Sequence, residues 1–174
     1  MRFASLEEEL LSSGLVDSGR LQEALRVRES SGQSLDRVLL AKGLVPEVPL
    51  LRLLARQLGL EFQEELTGRS APPEFVHIVP VQFARTQHLA ALERRDGGLM
   101  AVATCTPLDV QPMDDLSVML GCDLEPVVVP RAEIAAFINR AYRHKADGVD
   151  EALEGIEDED ILGLTAQLEE SEDL

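Results

Sequence analysis

An α+β protein is predicted, with an N-terminal all-α layer of two helix-turn-helix repeats, a small β-β-α-β-α subdomain and a disordered acidic tail. Three observations predict it. A pattern in the first sixty residues recurs after 29 residues. Helical spacing then gives way to short apolar runs separated by Gly and Pro. Acidic residues accumulate at the end of the chain. The expected divisions are 1–66 for the helical layer, 67–146 for the α/β subdomain and 147–174 for the tail.

The repeat fixes the first element pairs. Ser5, Leu6, Leu10, Leu11, Gly14, Leu15, Val16, Leu21 and Leu25 align without exception on Ser34, Leu35, Leu39, Leu40, Gly43, Leu44, Val45, Leu50 and Leu54. A fixed internal period marks a duplicated supersecondary unit. Leu6, Leu10 and Leu11 share one face of a short helix, and Gly14 supplies the positive φ that ends it. Asp17 or Ser18 caps the next helix, which buries Leu21, Ala24 and Leu25. In the second unit Gly43 stops the first helix, Pro46 or Pro49 sits near the start of the next, and Leu50, Leu53 and Leu54 supply the buried face. The leucines are first of all core. The paired helix-Gly-turn units also offer a two-lobed surface to a ligand with two similar halves.

Residues 69–74 form a linker. An apolar segment follows around Val76, Ile78, Val79 and Pro80. A strand is expected over 87–92, a turn at 94–98 and a return strand over 99–104. Residues 107–120 are expected to be helical and stopped by Gly121, with a third strand over 122–129. A last helix opens at Pro130 and Arg131 and buries Ile134, Phe137, Ile138 and Tyr142. Helices then cover a three-stranded sheet.

Composition excludes several functions. The net charge is −16, from 32 acidic and 16 basic residues. Residues 147–174 hold twelve of the acids and no Lys or Arg, so the remainder of the chain is close to balanced. A chain this acidic is unsuited to nucleic acid or anionic membranes, where phosphate contacts dominate. Charge repulsion keeps the tail solvated, although Ile156, Ile161, Leu162, Leu164 and Leu168 would let a helix near 158–169 dock on a partner. Apolar residues reach 45%, enough for a core, but aromatics are 3%. No run approaches the ~20 apolar residues of a spanning helix, and the N-terminus lacks a signal-peptide core. A cytoplasmic chain without membrane insertion is expected.

Catalytic signatures are missing. No GxxxxGK[ST], GxSxG, HExxH or GxGxxG occurs, and the chain has two lysines, Lys42 and Lys145. His77, His88 and His144 are dispersed. Cys105 and Cys122 have no metal-ligand spacing and are expected to be free thiols. No catalytic residue, metal or cofactor is expected.

The span from Leu6 to Tyr142 resembles the N-terminal domain of type II secretion and type IV pilus assembly ATPases, the MshEN domain. The stretches that carry the likeness are the duplicated Leu-Leu-x-x-Gly-Leu-Val, Ile78-Val79-Pro80, the run from Leu99 to Asp109, Met113-Asp-Asp-Leu116, Gly121, the run from Glu125 to Val129, and the run from Ile134 to Tyr142. In that family the domain precedes a RecA-like motor, and no Walker motif follows here. The opening Met and acidic end lead to the expectation of a stand-alone version.

The resemblance implies two functions. One is a non-enzymatic regulatory module that binds a protein of a secretion, pilus or motility machine through the helical layer or the tail. Some members dock this layer on the cytoplasmic domain of a membrane-platform protein. The alternative is a cyclic di-GMP receptor. One branch binds that messenger through tandem motifs that open Arg-Leu-Gly and close on Gln. The layout here matches, with 5–28, a spacer of 29–33 and 34–57. The resemblance makes Leu10, Leu11, Gly14, Leu15, Arg28, Leu39, Leu40, Gly43, Leu44 and Gln57 the candidate ligand-binding residues. Arg-Leu-Gly is replaced by Ser5-Leu6-Glu7 and Ser34-Leu35-Asp36, and the first closing Gln by Arg28. Serine cannot stack on or pair with guanine as arginine does. Glu7 and Asp36 are expected to place carboxylates beside a dianionic ligand, at a cost on the order of 1 kcal/mol. Thr106 stands where the family has an acid before Pro107, and is expected to cap the next helix. The tail is also expected to suit a basic partner surface, such as that of an ATPase it would inhibit.

Overall fold

The computed structural model describes residues 5–143 and residue 145. The acidic tail and its expected helix near 158–169 lie outside the described residues. Residues up to Ile138 cluster as one unit, and residues from Asn139 onward as another.

The helical layer comprises α1 (Leu6–Ser12), α2 (Ser18–Ser31), α3 (Leu35–Ala41) and α4 (Glu47–Leu58). Each start has a local cause. Ser5 caps α1 in a reciprocal box with Glu8, each backbone N–H donating to the other side chain at 3.2 Å. Asp17 Oδ1 accepts from the Arg20 N–H at 2.8 Å to cap α2. Pro46, with φ −60°, precedes α4. Gly14 and Gly43 take positive φ at the turns, +73° and +63°. The leucines aligned by the repeat then meet in one cluster, with Leu10, Leu21, Leu39, Leu50 and Leu54 all buried. Leu108 from the second half packs against it.

After α4 the chain forms β1 (Glu61–Phe62), α5 (Pro73–Ile78), α6 (Val81–Gln87), β2 (Leu89–Arg94), β3 (Met100–Thr104), α7 (Gln111–Leu120) and β4 (Leu124–Val128). Residues 131–138 are helical and end this unit. Residues 139–143 and 145, in the second unit, are helical as well.

The fold is α+β, and the expected β-β-α-β-α order is present. The sheet has four strands, ordered β1-β4-β3-β2, where three were expected. β2 and β3 form an antiparallel hairpin, while β4 is parallel to both β3 and β1. The extra strand escaped periodicity because it is two residues long. Its pairing begins at Val127, just past Pro126 of β4, which has no N–H to offer a neighbour. Every residue of β3 is buried, as a strand covered on both faces must be. The segment around Val76 to Pro80 is two short helices rather than a single apolar stretch, each started at a proline.

The expected helix over 107–120 begins only at Gln111. Residues 105–110 form a loop instead. Thr106 does not cap it: Val110 occupies the cap position without a side-chain bond, and the Thr106 carbonyl accepts from the Asp109 N–H at 3.0 Å.

Candidate functional site

The structure gathers the two motif heads into one cleft of about 430 Å³, lined by Ser5, Leu6, Glu7, Arg28, Ser34, Leu35 and Leu108. The end of the first motif, Arg28, thus faces the start of the second. Glu7 and Arg28 are its charged walls, one of each sign.

The two heads are built differently from the same residues. Ser5 accepts from a backbone N–H. Ser34 makes no such cap and donates its hydroxyl to Asp36 Oδ1 at 2.5 Å. Asp36 is fully buried. Its carboxylate also accepts from the Arg37 N–H at 2.8 Å and, across the fold, from the Leu108 N–H at 2.9 Å. Burial pushes the Asp36 carboxyl above its usual range, against the lowering effect of those three bonds. Arg37 adds a second tie, an ion pair to Asp109 at 3.0 Å. Asp36 therefore does not project at a ligand as expected from its place in the motif. Turned inward, it fastens the loop 105–109 to the helical layer. Nothing local in the sequence announces this, because the partner N–H lies 72 residues away. The exchange of a close-approach Gly for Asp36 was the only signal.

The remaining candidate residues are divided among core, turns and surface. Leu10 and Leu39 are buried, and Leu15 and Leu44 pack half-buried against the same cluster. Leu11 is 43% exposed. Leu40, its counterpart, is half-buried and lines a separate hollow with Arg37 and His88. Gly14 and Gly43 are exposed turn residues. Gln57 is half-buried near the end of α4. Of the candidates, only Arg28 lines the cleft at the motif heads.

Cys105 and Cys122 are both free, the first buried and the second partly so. Burial lifts the Cys105 thiol to about 12, so it stays protonated. Among the described residues, no three His, Cys, Asp or Glu side chains are grouped to hold a metal ion. No helix among them is long and apolar enough to cross a membrane.

A family model described as the MshEN domain matches residues 58–148, more than half of the chain. The chain belongs to the MshEN domain family. The matched residues contain the sheet, and the duplicated helical motifs precede them. Two curated relatives of this MshEN chain are type IV pilus assembly ATPases named PilB. The one from Myxococcus xanthus is 26% identical over 154 residues, covering 88% of this chain and 27% of the relative. The one from Thermus thermophilus is 48% identical over 63 residues, covering 36% of this chain and 7% of the relative. The chain therefore spans about a quarter, or less, of the length of these relatives. Among solved structures, the N-terminal domain of XpsE superposes with a TM-score of 0.65 at 28% identity, covering 82% of this chain and 99% of that one. A structure of MshE with cdg, cyclic di-GMP, superposes with a TM-score of 0.60 at 26% identity, covering 80% of this chain and 100% of that one.

Proposed function

We propose that this MshEN chain is a non-enzymatic, cytoplasmic docking module for a protein of a secretion, pilus or motility machine. The observation that carries the reading is the apolar surface it leaves in water. Val110 is 65% exposed and Val118 83% exposed at the start and on the body of α7, with Met119 beside them, and Leu11 and Leu58 are exposed on the helical layer. A hollow of about 380 Å³ runs between α7 and the start of β4, with Val110, Met113, Leu124 and Pro126 among its walls. Acids surround it. From Asp96 to Pro130 the chain has six Asp or Glu and no Lys or Arg. An apolar surface with an acidic rim suits an amphipathic partner segment carrying basic residues.

The test is titration of the full chain against purified cytoplasmic domains of the machine's membrane-platform proteins. Val118→Glu should weaken the α7 surface and a Leu11→Glu, Leu58→Glu double variant the helical layer. Whichever variant loses affinity identifies the docking side. A complete set of platform domains that fail to bind would sink the proposal. If the tail 147–174 also engages a basic partner, its deletion should flatten the salt dependence of binding.

A cyclic di-GMP receptor is the second reading. It is favoured by the cleft at the paired motif heads, by Arg28 in its wall, and by the likeness to MshE with cdg. Against it stand the Ser5 and Ser34 substitutions, Glu7 in the cleft and the Asp36 tie. Calorimetric titration with cyclic di-GMP should give no saturable heat. Binding that Arg28→Ala abolishes would establish the receptor instead. We also propose the division of the chain into 1–66, a helical repeat subdomain, and 67–146, an α/β subdomain.

A further inference from the structure

We infer that the hollow beside His88 binds a small phosphate-bearing anion. This hollow, about 260 Å³, lies between α3 and the end of α6, and its walls include Gln33, Arg37, Thr86, Gln87, His88 and Arg131. It shares no lining residue with the cleft at the motif heads. Arg37 and Leu40 come from the second motif span, and His88 and Arg131 from outside both motifs.

In a chain of net charge −16, two guanidiniums and an imidazole converge here. Their pairing leaves cationic capacity unused. Arg131 Nε donates to His88 Nε2 at 2.9 Å, which requires that nitrogen to carry no proton. Among the described residues no carboxylate lies within ion-pairing distance of the Arg131 guanidinium. The nearby Glu47 instead accepts the Arg131 backbone N–H at 2.9 Å. Arg37 is satisfied at one end by Asp109 and by Gln87 at 3.3 Å. Its Nε is buried without a hydrogen-bond partner among the described residues.

His88 carries an independent mark. It is the one non-glycine among the described residues with positive φ, at +52°. Left-handed backbone is uncommon at non-glycine residues, with Asn, Asp and His taking it more readily than the rest, and such residues collect at functional sites. Here it ends α6 and turns the chain into β2 at the wall of the hollow. Burial and the charges of Arg131 and Arg37 hold its pKa below 6.5, in keeping with an imidazole that accepts from a guanidinium.

A tetrahedral oxyanion offers such a site what it lacks, several acceptor oxygens and negative charge at guanidinium spacing. The volume leaves room for a small organic substituent on the phosphate. The chemical class is therefore inorganic phosphate or a small phosphate monoester.

The test is an amide-resonance titration of the full chain with inorganic phosphate, and separately with glycerol phosphate, at constant ionic strength against chloride. Saturable shifts at residues 86–88 and 131 are expected. Arg131→Gln should weaken binding about tenfold or more, the loss of one charge-assisted contact. Thr86→Glu, on a different element and exposed, should abolish it by placing a carboxylate at the mouth. The same spectra report whether each variant is folded. Tighter glycerol phosphate binding would assign a phosphorylated metabolite, and equal binding free phosphate. Shifts that follow chloride equally, or an unchanged affinity in folded Arg131→Gln, would overturn the inference.

Discussion

Ser5 and Ser34 occupy equivalent positions in a duplicated sequence, yet one accepts a hydrogen bond and the other donates one. The difference is Asp36, and the reason Asp36 can be buried is that Leu108 brings it an N–H. Removing the carboxylate with Asp36→Ala leaves the Leu108 and Arg37 N–H groups without it. Chemical denaturation should register a loss of about 1–3 kcal/mol. Asp36→Asn isolates the ionisation. The folded chain holds this proton more tightly than an unfolded chain with the ordinary value of 3.8. That contribution to stability is complete below 3.8 and is lost as pH rises through the raised value. The stability of the parent relative to Asp36→Asn should therefore fall with rising pH across that window; parallel pH profiles would contradict it. The cysteines give a second check at this scale. Native alkylation should label Cys122 well before Cys105, which is buried and protonated, and the difference should vanish on unfolding.

Among the elements, the repeat made the helical layer legible because each unit carries its own start, stripe and stop. Leu10 and Leu39 mark equivalent buried places, so truncating either to Ala should cost about 2–5 kcal/mol. Leu11→Ala, at a 43% exposed position, should change stability by no more than about 0.5 kcal/mol. Gly14 and Gly43 have open space around a would-be Cβ, so backbone conformation alone opposes substitution. Each Gly→Ala change should lower stability by about 1–2 kcal/mol, measured by thermal melting. The α/β half was less legible at its edges. The hairpin could be read because its turn contains Asp96-Gly97-Gly98, a strong local signal. β1 could not, because its pairing comes from β4 and not from its own sequence.

Across the whole molecule, polar ties join segments far apart in sequence. Asp36 holds Leu108, Glu47 holds Arg131, and Glu133 Oε2 accepts the Leu66 N–H at 3.1 Å. Each ties a side chain to a backbone donor in a distant segment. A fragment lacking residues 1–66 should therefore melt below the intact chain, and one that retains β1 should melt above one that does not. Equal melting of all three would mean the sheet owes nothing to the helical layer. The same long-range assembly explains the candidate site. The sequence supplied Arg28 and the motif heads, but not that Arg28 faces Ser34 across a cleft. It supplied His88 and Arg131 as dispersed residues, 43 positions apart.

The helical layer, its core leucines and the order of strands and helices from β2 onward could all be read from the residues in line. Helical period, capping residues and glycine stops act within a few positions of one another. The acidic charge balance and the family likeness belong to the same level. Folding settled the rest: which copy of the repeated serine caps a helix, where the Asp36 carboxylate goes, and that a fourth strand exists. It also brought two guanidiniums and an imidazole to one hollow. Those outcomes depend on donors and charges contributed by distant segments, and no local pattern encodes a partner that only folding brings within hydrogen-bonding distance.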